Sequence, residues 1–397
     1  TLIGSLAGDA LTDADYNIAI GYAALGADTL GSRSVAIGYA ALDAQNFTTA
    51  TDSYNTAVGF EAGGAVTTGI QNTLIGGLAG DALTDADFNV AIGTDALAAD
   101  TLGSRSIAIG RRALHAQNFT TATDTYNVAV GFEAGNDVTT GVQNTLIGGL
   151  AGDALTDADA NVAVGKGALG SDTLGSQSTA LGTGALSSQN FTTATNSLNT
   201  AVGYVAGSSI TTGTLNTLIG GNTGDALTIG VDNVAVGRSS LTTDVAGKYS
   251  VAIGSSALES QNFTTATDAY NTAVGFSAGK AVTTGTNNTL LGGLAGDALT
   301  SSSRNTALGY GTLSADTLGS HSTAVGNLAL VNQNLTTATD VYNTAVGSSA
   351  GQEITTGQNN TIIGGLAGDA LSDADHNVAV GYQALTSDTK GNRTTAI

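Results

Sequence analysis

The sequence predicts an all-β chain, a parallel β-solenoid of about 22 coils, and three observations support this fold class. A pentapeptide of the form Asn/Ser-X-Ala/Leu-Ile/Val-Gly recurs from end to end of the 397 residues. Its glycines follow one another in steps of 17, 17, 21 and 17 along the chain, and this series repeats in the same order, so that Gly76 follows Gly4 after one full series. Shifting the chain by one such series also aligns it with itself, as in the column Ile3, Ile75, Ile147, Ile219, Leu291 and Ile363. We therefore expect each repeat to form one coil.

The pentapeptide has the pattern of a short strand. In residues 89–93, Asn-Val-Ala-Ile-Gly, β-branched side chains alternate with a small one. The small residue three positions after the glycine and the Leu or Gly that follows it, as in Ala96 and Leu97, predict a second short strand. Because a glycine closes every pentapeptide, we also expect a corner at which a Cβ does not fit. Representative corner positions are Gly76, Gly93, Gly110 and Gly131.

The first residue of the pentapeptide is Asn or Ser in almost every coil. Stacked coils would place these side chains about 4.8 Å apart, which suits an amide ladder that satisfies buried donors. The alternative is a row of Asn that binds a ligand, but turns before strands favour Asn and Ser on local grounds alone. We therefore interpret the column as structural; it includes Asn72, Asn89, Asn127 and Asn144.

The composition indicates one continuous repeat domain over residues 1–397. Only 5% of the residues are aromatic, Trp, Pro, Met and Cys are absent, and no change of composition interrupts the register of the repeated series. Such small side chains give a thin coil that buries little apolar surface, and no disulfide can compensate. We therefore expect several parallel copies, most simply three around one axis, to pack along their length with Ala and aliphatic columns at the contact. Because the chain starts and stops inside the repeating motif, we also expect it to be a segment of a longer fibre.

The charged residues exclude several partners. The formal net charge is −21 and the 11 Lys and Arg residues are scattered, so nucleic acid and anionic membranes are poor partners. No apolar run is long enough to cross a bilayer. The three histidines occupy different columns of the repeat and there is no Cys, so we expect neither catalysis nor a resident cofactor. The glycine-rich phrases lack the lysine of a phosphate-binding loop.

Aspartates in a D-x-D-x-N pattern are weak candidates for calcium ligands, because hard cations prefer oxygen donors. Two copies of the pattern are broken, by Ile229 and Val231 in one repeat of the four-coil series and by Ser301 and Ser303 in the next. We therefore favour solvated turn residues over a calcium site. The candidate ligands are Asp85, Asp87, Asp157 and Asp159.

Each long coil, the one with the step of 21, adds two aromatic columns, which suggest either a carbohydrate platform or a hydrophobic plug under the long loop. Leucine replaces the ring at Leu198 and Leu335, and a plug tolerates this exchange whereas a sugar-stacking ring does not. We therefore favour the plug for both columns. One column is Phe47, Phe119, Phe191, Phe263 and Leu335, and the other is Tyr54, Tyr126, Leu198, Tyr270 and Tyr342.

The repeated strand motif resembles the head repeats of trimeric autotransporter adhesins, the YadA-like β-roll, and related repeats of bacteriophage tail fibres. The resemblance covers the whole chain and is clear in residues 199–203 and 250–254. It implies a left-handed parallel β-roll, a homotrimer and a surface fibre outside a cell or virion. The coils, with their steps of 17 or 21, are longer than is usual in that family. The choice between a bacterial adhesin and a phage fibre stays open.

These observations predict the structural shaft of an extracellular fibre or adhesin, which gives reach and stiffness and displays loops. The alternative is a ligand-binding adhesin or phage receptor-binding segment that recognises a host surface protein or polysaccharide. A third hypothesis, an ice-binding surface, starts from the Thr pairs at 67–68, 139–140, 211–212 and 283–284. Those pairs occur once in four coils, too sparsely for a continuous array.

Overall fold

The computed structural model describes all residues, 1–397, as two compact units, Thr1–Leu198 and Asn199–Ile397. Neither unit contains a helix, and each is a parallel β-solenoid. The predicted fold class and the predicted spacing between successive strands, with steps of 17 or 21, are therefore confirmed. The handedness, the trimer and the single continuous domain stay predictions.

The first unit contains 17 strands. They are β1 (Leu2–Ile3), β2 (Ile18–Ile20), β3 (Gly31–Ser32), β4 (Val35–Ile37), β5 (Thr51–Asp52), β6 (Thr56–Val58), β7 (Thr73–Ile75), β8 (Val90–Ile92), β9 (Gly103–Ser104), β10 (Ile107–Ile109), β11 (Thr123–Asp124), β12 (Val128–Val130), β13 (Thr145–Ile147), β14 (Val162–Val164), β15 (Gly175–Ser176), β16 (Thr179–Leu181) and β17 (Thr195–Asn196).

The second unit contains 16 strands. They are β18 (Thr200–Val202), β19 (Thr217–Ile219), β20 (Val234–Val236), β21 (Gly247–Lys248), β22 (Val251–Ile253), β23 (Thr267–Asp268), β24 (Thr272–Val274), β25 (Thr289–Leu291), β26 (Thr306–Leu308), β27 (Gly319–Ser320), β28 (Thr323–Val325), β29 (Thr339–Asp340), β30 (Thr344–Val346), β31 (Thr361–Ile363), β32 (Val378–Val380) and β33 (Thr395–Ala396).

The strands of the pentapeptides stack in parallel and in register within each unit. Ile18 pairs with Val35 one coil on, and Val35 pairs with Thr56 across the longer step. The two-residue strands of each long loop form a second, local pairing, as β3 does with β5. Within a unit, each inner strand of the main sheet therefore pairs with the strand of the coil before it and with the strand of the coil after it.

The side chains of the main sheet alternate between the interior and the outer face. Ala91, in the middle of β8, is fully buried, while Val90 and Ile92 on either side of it are partly exposed. The prediction that alanine columns form a contact between chains is therefore wrong, because these alanines line the interior of their own coil. The flanking β-branched and aliphatic residues form the outer face instead.

The order of four coils in each repeated series has a packing reason. Leu74 stands in the middle of β7, where most strands have Ala, and its side chain reaches towards the turns at Gly63 and Gly80. A Cβ on Gly63 would lie 2.6 Å from Leu74 Cδ1, and a Cβ on Gly80 would lie 2.8 Å from Leu74 Cδ2. The two coils after that of Leu74 have Ala in the strand and a buried Leu at this turn position, Leu97 and Leu114. The coil before it has Ala in the strand and Gly63 at the turn, where the Leu74 side chain fits. Large and small residues thus alternate so that the interior is filled.

The segment after the corner glycine is a turn, so the predicted second strand is wrong. Ala96 and Leu97 are both fully buried, whereas neighbours in a strand point to opposite faces. Leu97 has a φ of 53°, which turns the chain so that both side chains enter the interior.

Candidate functional site

The corner glycines allow the backbones of neighbouring coils to approach closely. Gly93 has a φ of +135°, and a Cβ there would lie 2.6 Å from the carbonyl carbon of Gly110 in the next coil. A real Cβ does not tolerate that distance to a backbone atom. Gly76, Gly110 and Gly131 have the same left-handed φ and meet the next corner in the same way.

The asparagine column is a buried ladder in which each amide joins two coils. Asn127 Oδ1 accepts a hydrogen bond from the Asn144 backbone amide at 2.9 Å, and Asn127 Nδ2 donates to the Gly141 carbonyl at 2.8 Å. Asn72 accepts from the Asn89 amide in the same way, also at 2.9 Å. These side chains are fully buried and use both polar atoms within the chain. They therefore offer no atom to a ligand.

A buried polar cluster, which was not predicted from the repeat pattern, lies inside each long coil. In the second repeat it consists of Asp100, Ser106, Gln117, Thr125 and Asn127, all without solvent exposure. Gln117 Nε2 donates to Asp100 Oδ2 at 2.6 Å, and Asn127 Nδ2 donates to Gln117 Oε1 at 2.9 Å. A signal existed, because Asp and Gln recur at fixed columns of the repeat. Equivalent carboxylates are Asp28, Asp172, Asp244 and Asp316.

The buried carboxylate has no cationic partner and fixes the long loop through backbone amides. Asp100 Oδ1 accepts from the Gly103 amide at 3.1 Å and from the Phe119 amide at 3.0 Å. With the bond from Gln117, three donors replace the water that burial removes. At the equivalent Asp316, burial raises the pKa, and hydrogen bonds from Gln333 and from backbone amides oppose the rise. The cluster therefore has a structural role, and it positions the aromatic residue of the loop.

The two aromatic columns of the long loop differ in exposure. Phe119 is 7% exposed and Leu335 only 4%, so the hydrophobic plug is confirmed for this column. Tyr126 is 52% exposed and Leu198 is 48% exposed, so the plug is wrong for the tyrosine column. The period of the repeat shows that both columns exist but does not show which of them faces inward.

The tyrosine column belongs to a longer row on the surface, which we call the leading edge. It comprises the residue immediately before each ladder Asn or Ser, among them Tyr16, Arg33 and Tyr54. The Arg33 guanidinium lies 5.0 Å from the Tyr16 ring centroid and 5.7 Å from that of Tyr54, and Arg33 Nε is 2.9 Å from Asp52 Oδ1. Stacking thus covers ring faces that a sugar would need.

A second row, which we call the trailing edge, comprises the residue immediately after each corner glycine. The Tyr22, Tyr39 and Phe60 rings form a continuous stack with centroid distances of 5.2 Å at each step. One coil in four has a glycine in this row. These glycines are Gly77, Gly149, Gly221, Gly293 and Gly365.

The candidate calcium ligands bind the coil before them. Asp85 Oδ1 accepts from Thr68 Oγ1 at 2.7 Å, and Asp87 Oδ1 accepts from the Ile70 amide at 2.8 Å. Asp157 and Asp159 repeat both contacts, at 2.6 Å and 2.8 Å. Burial raises the pKa of Asp87. No group of three or more His, Cys, Asp or Glu side chains in the chain is arranged to hold a metal ion.

A surface depression of about 400 Å³ lies beside Asp43, Glu61 and Asp81, and the rest of its lining is Ala and Gly. Burial raises the pKa of Asp81, and the nearby Asp95 and Glu61 add to the rise. The depression contains no aromatic side chain. It therefore differs from the aromatic-lined groove that a polysaccharide-binding segment would need.

Comparison of the sequence and structure with protein-family models, curated proteins and solved structures gives no match. The structure has no helix that is long and apolar enough to span a membrane.

Proposed function

We propose that this chain is the structural shaft of an extracellular fibre or adhesin on the surface of a cell or virion. One observation carries the proposal. In both units the corner glycines pack against the backbone of the neighbouring coil, and each ladder asparagine forms hydrogen bonds with the neighbouring coil. Such a chain gains reach with each added coil and gains stiffness from the ladder. The net charge of −21 keeps neighbouring fibres apart and disfavours nucleic acid as a partner.

We further propose a parallel homotrimer along the fibre axis. The outer face of the main sheet carries two columns of β-branched and aliphatic residues, and in these Ile75, Ile147 and Ile363 are 37%, 39% and 40% exposed. The first of these columns contains many Thr residues, but the second is Ile, Val or Leu in every coil. A continuous apolar column of this kind is unusual on a monomer and typical of an interface. Packing three copies around one axis would bury both columns of every copy.

A seamless deletion tests the shaft. Removing residues 77–148 joins Gly76 to Gly149 and takes out one complete series of four coils, so the repeat register is preserved. We expect particles in electron micrographs to shorten by about 19 Å, which is four coils at about 4.8 Å each. Light scattering should give three chains for the full-length and the shortened protein. An unchanged particle length would contradict the shaft, and a monomeric mass would contradict the trimer.

Recognition of a surface polysaccharide is the second candidate function. It is favoured by trailing-edge rings that have a glycine in the next coil, because no side chain there can cover the ring face. Phe276, for example, is 63% exposed and precedes Gly293 by one coil. Binding of bacterial surface polysaccharides to the wild type and to Phe276→Ala would test this, with the stacked Tyr39→Ala as the control. Equal binding by all three proteins would exclude these rings as the site.

A further inference from the structure

Each strand of the main sheet has one leading-edge residue and one trailing-edge residue, six positions apart. Around β7 these are Gln71 and Gly77, and around β20 they are Asp232 and Arg238. The three-residue strand between them spans about 10 Å, so the two residues do not touch within one chain. They lie at opposite margins of the apolar outer face.

The charges of the two margins are complementary at β20. Asp232 is the one acidic residue in the whole leading edge, and the trailing-edge residue of the same strand is Arg238. Both side chains are exposed, and neither forms an ion pair within the chain. Because neither charge has an ion-pair partner in its own chain, Asp232 of one copy and Arg238 of another are free to pair with each other.

The shapes of the two margins are complementary every fourth coil. Gly77 has an ordinary φ, and a Cβ on it would have no atom within 4 Å, so its own chain does not require glycine. Gly221 is equally open. The glycine nevertheless recurs in all five repeats of the four-coil series, and a Gln, Leu or Asn stands at the other margin of the same strand. These opposite residues are Gln71, Gln143, Leu215, Asn287 and Asn359.

Rotational symmetry would bring the two margins together. In a closed ring of three copies every interface is heterologous, so the leading edge of one copy meets the trailing edge of the next. A rotation about the fibre axis involves no translation, so equivalent coils lie at the same height. We propose that the two edges pack coil against coil, with Gln71 in the gap at Gly77 of the next copy and Asp232 against Arg238 of the next copy. This inference rests on the proposed trimer.

One strand places like charges at both margins, and the structure shows how this is accommodated. Arg105 and Arg111 flank β10. Arg105 Nε is 2.8 Å from Asp124 Oδ1, and Arg111 Nη1 is 3.6 Å from Glu133 Oε1. Each arginine therefore brings its own carboxylate to the interface, in contrast to Asp232 and Arg238.

Cysteine cross-linking tests the contact directly, because the chain contains no Cys of its own. The double variant Gln71→Cys, Gly77→Cys should form covalent trimers on mild oxidation, seen by non-reducing electrophoresis. A bond within one chain is excluded, because a disulfide needs Cα atoms less than about 7 Å apart. The control Gln71→Cys, Gly149→Cys has the same residue types four coils apart and should remain uncross-linked. Cross-linking of the control alone, or of neither variant in a protein whose mass is trimeric, would overturn the pairing.

Charge reversal provides an independent test. Asp232→Arg and Arg238→Asp should each raise the concentration at half-assembly roughly tenfold, since three weak ion pairs become repulsive. The double variant should restore the wild-type value, because the pair is then exchanged between neighbouring copies. If the double variant is weaker than both single variants, the pairing is wrong. A wild type that is monomeric at all concentrations would instead refute the proposed trimer itself.

Discussion

The two units share their coil geometry but differ inside the buried polar clusters. In the first unit the long loop contributes a hydroxyl to each cluster, from Ser53, Thr125 and Ser197, and Ser53 Oγ lies 2.5 Å from Ser34 Oγ. In the second unit the equivalent residues are the apolar Ala269 and Val341, both fully buried. The Asp and Gln of the cluster are present in both units.

The difference separates what the buried carboxylate needs from what it tolerates. Asp316, in the cluster with Val341, still accepts bonds from the Gly319 amide at 3.0 Å, the Leu335 amide at 3.2 Å and Gln333 Nε2 at 2.6 Å. The three donors to the carboxylate are thus essential, whereas the hydroxyl is an addition. A paired hydroxyl and a well-packed apolar group are both acceptable in a buried site.

The largest effect is expected where the units agree, at the corners. Gly93→Val and Gly309→Val should each cost roughly 1–3 kcal/mol or more per chain, and order should be lost over several coils, because coils stack only on their neighbours. Chemical denaturation and amide hydrogen exchange would measure both effects. A large cost in one unit and a small cost in the other would show that the corners are not equivalent.

The matched control for these variants is Gly77→Ala. Gly77 has an ordinary φ and open space around it in its own chain, so the added methyl group should leave the stability of the coil itself within about 0.5 kcal/mol of wild type. Any further loss should arise at the proposed contact with Gln71 of the next copy and should appear only in the assembled protein. A cost equal to that of Gly93→Val would mean that any change to a repeated glycine is harmful, whatever its backbone conformation.

The next largest effect is expected when the long-loop residue of the buried polar cluster is exchanged between the units. Ser53→Ala copies Ala269 and should cost about 1 kcal/mol, because the Ser34 hydroxyl loses one of its two close partners and keeps the bond from Gln45 Nε2 at 3.0 Å. Ala269→Ser copies Ser53 and should stabilise by a similar amount, since its Oγ can bond Ser250 in the same way. Differential scanning calorimetry would give both values. A destabilising Ala269→Ser would show that the second unit has repacked around its apolar residue.

The repeat predicts the strands, the corners and the asparagine ladder because each depends on a local pattern that recurs in every coil. The turn at Ala96 and Leu97 could not be predicted, since two small or aliphatic residues in a row are compatible with a strand and a turn. The cluster at Asp100 and Gln117 was missed for another reason. Polar residues are normally expected at the surface. A carboxylate without a cationic partner is tolerated in the interior only because backbone amides and Gln117 donate hydrogen bonds to it, and these donors are brought together only when the coils stack.

A smaller effect is expected from pH. Burial raises the pKa of Asp316 above its ordinary value of 3.8, so the folded chain holds this proton more tightly than the unfolded chain does. The contribution to stability is therefore complete below pH 3.8 and is lost as the pH rises through the raised value. The melting temperature should fall as the pH rises from 3.8 through the raised pKa of Asp316.

Asp316→Asn provides the control for the pH effect. Its melting temperature should depend less steeply on pH than that of the wild type, whatever its absolute value, because one titrating group has been removed. Part of the slope should remain, since burial also raises the pKa of Asp153 and Asp297. Identical slopes for the variant and the wild type would show that Asp316 does not titrate in this range.

The smallest effect is expected at the candidate calcium ligands of the first unit, because one repeat of the second unit has Ser301 and Ser303 at the equivalent positions. Ser303 Oγ accepts a hydrogen bond from the Thr286 amide at 3.0 Å, where Asp87 accepts from Ile70. Asp85→Ser with Asp87→Ser should therefore keep the backbone bond and lose only the exposed contact to Thr68, a change of about 0.5 kcal/mol or less. Thermal melting with and without a chelator would measure it. If the chelator destabilised the wild type but not this variant, the aspartates would hold a cation, and the first unit would depend on a metal that the serine-containing repeat does not need.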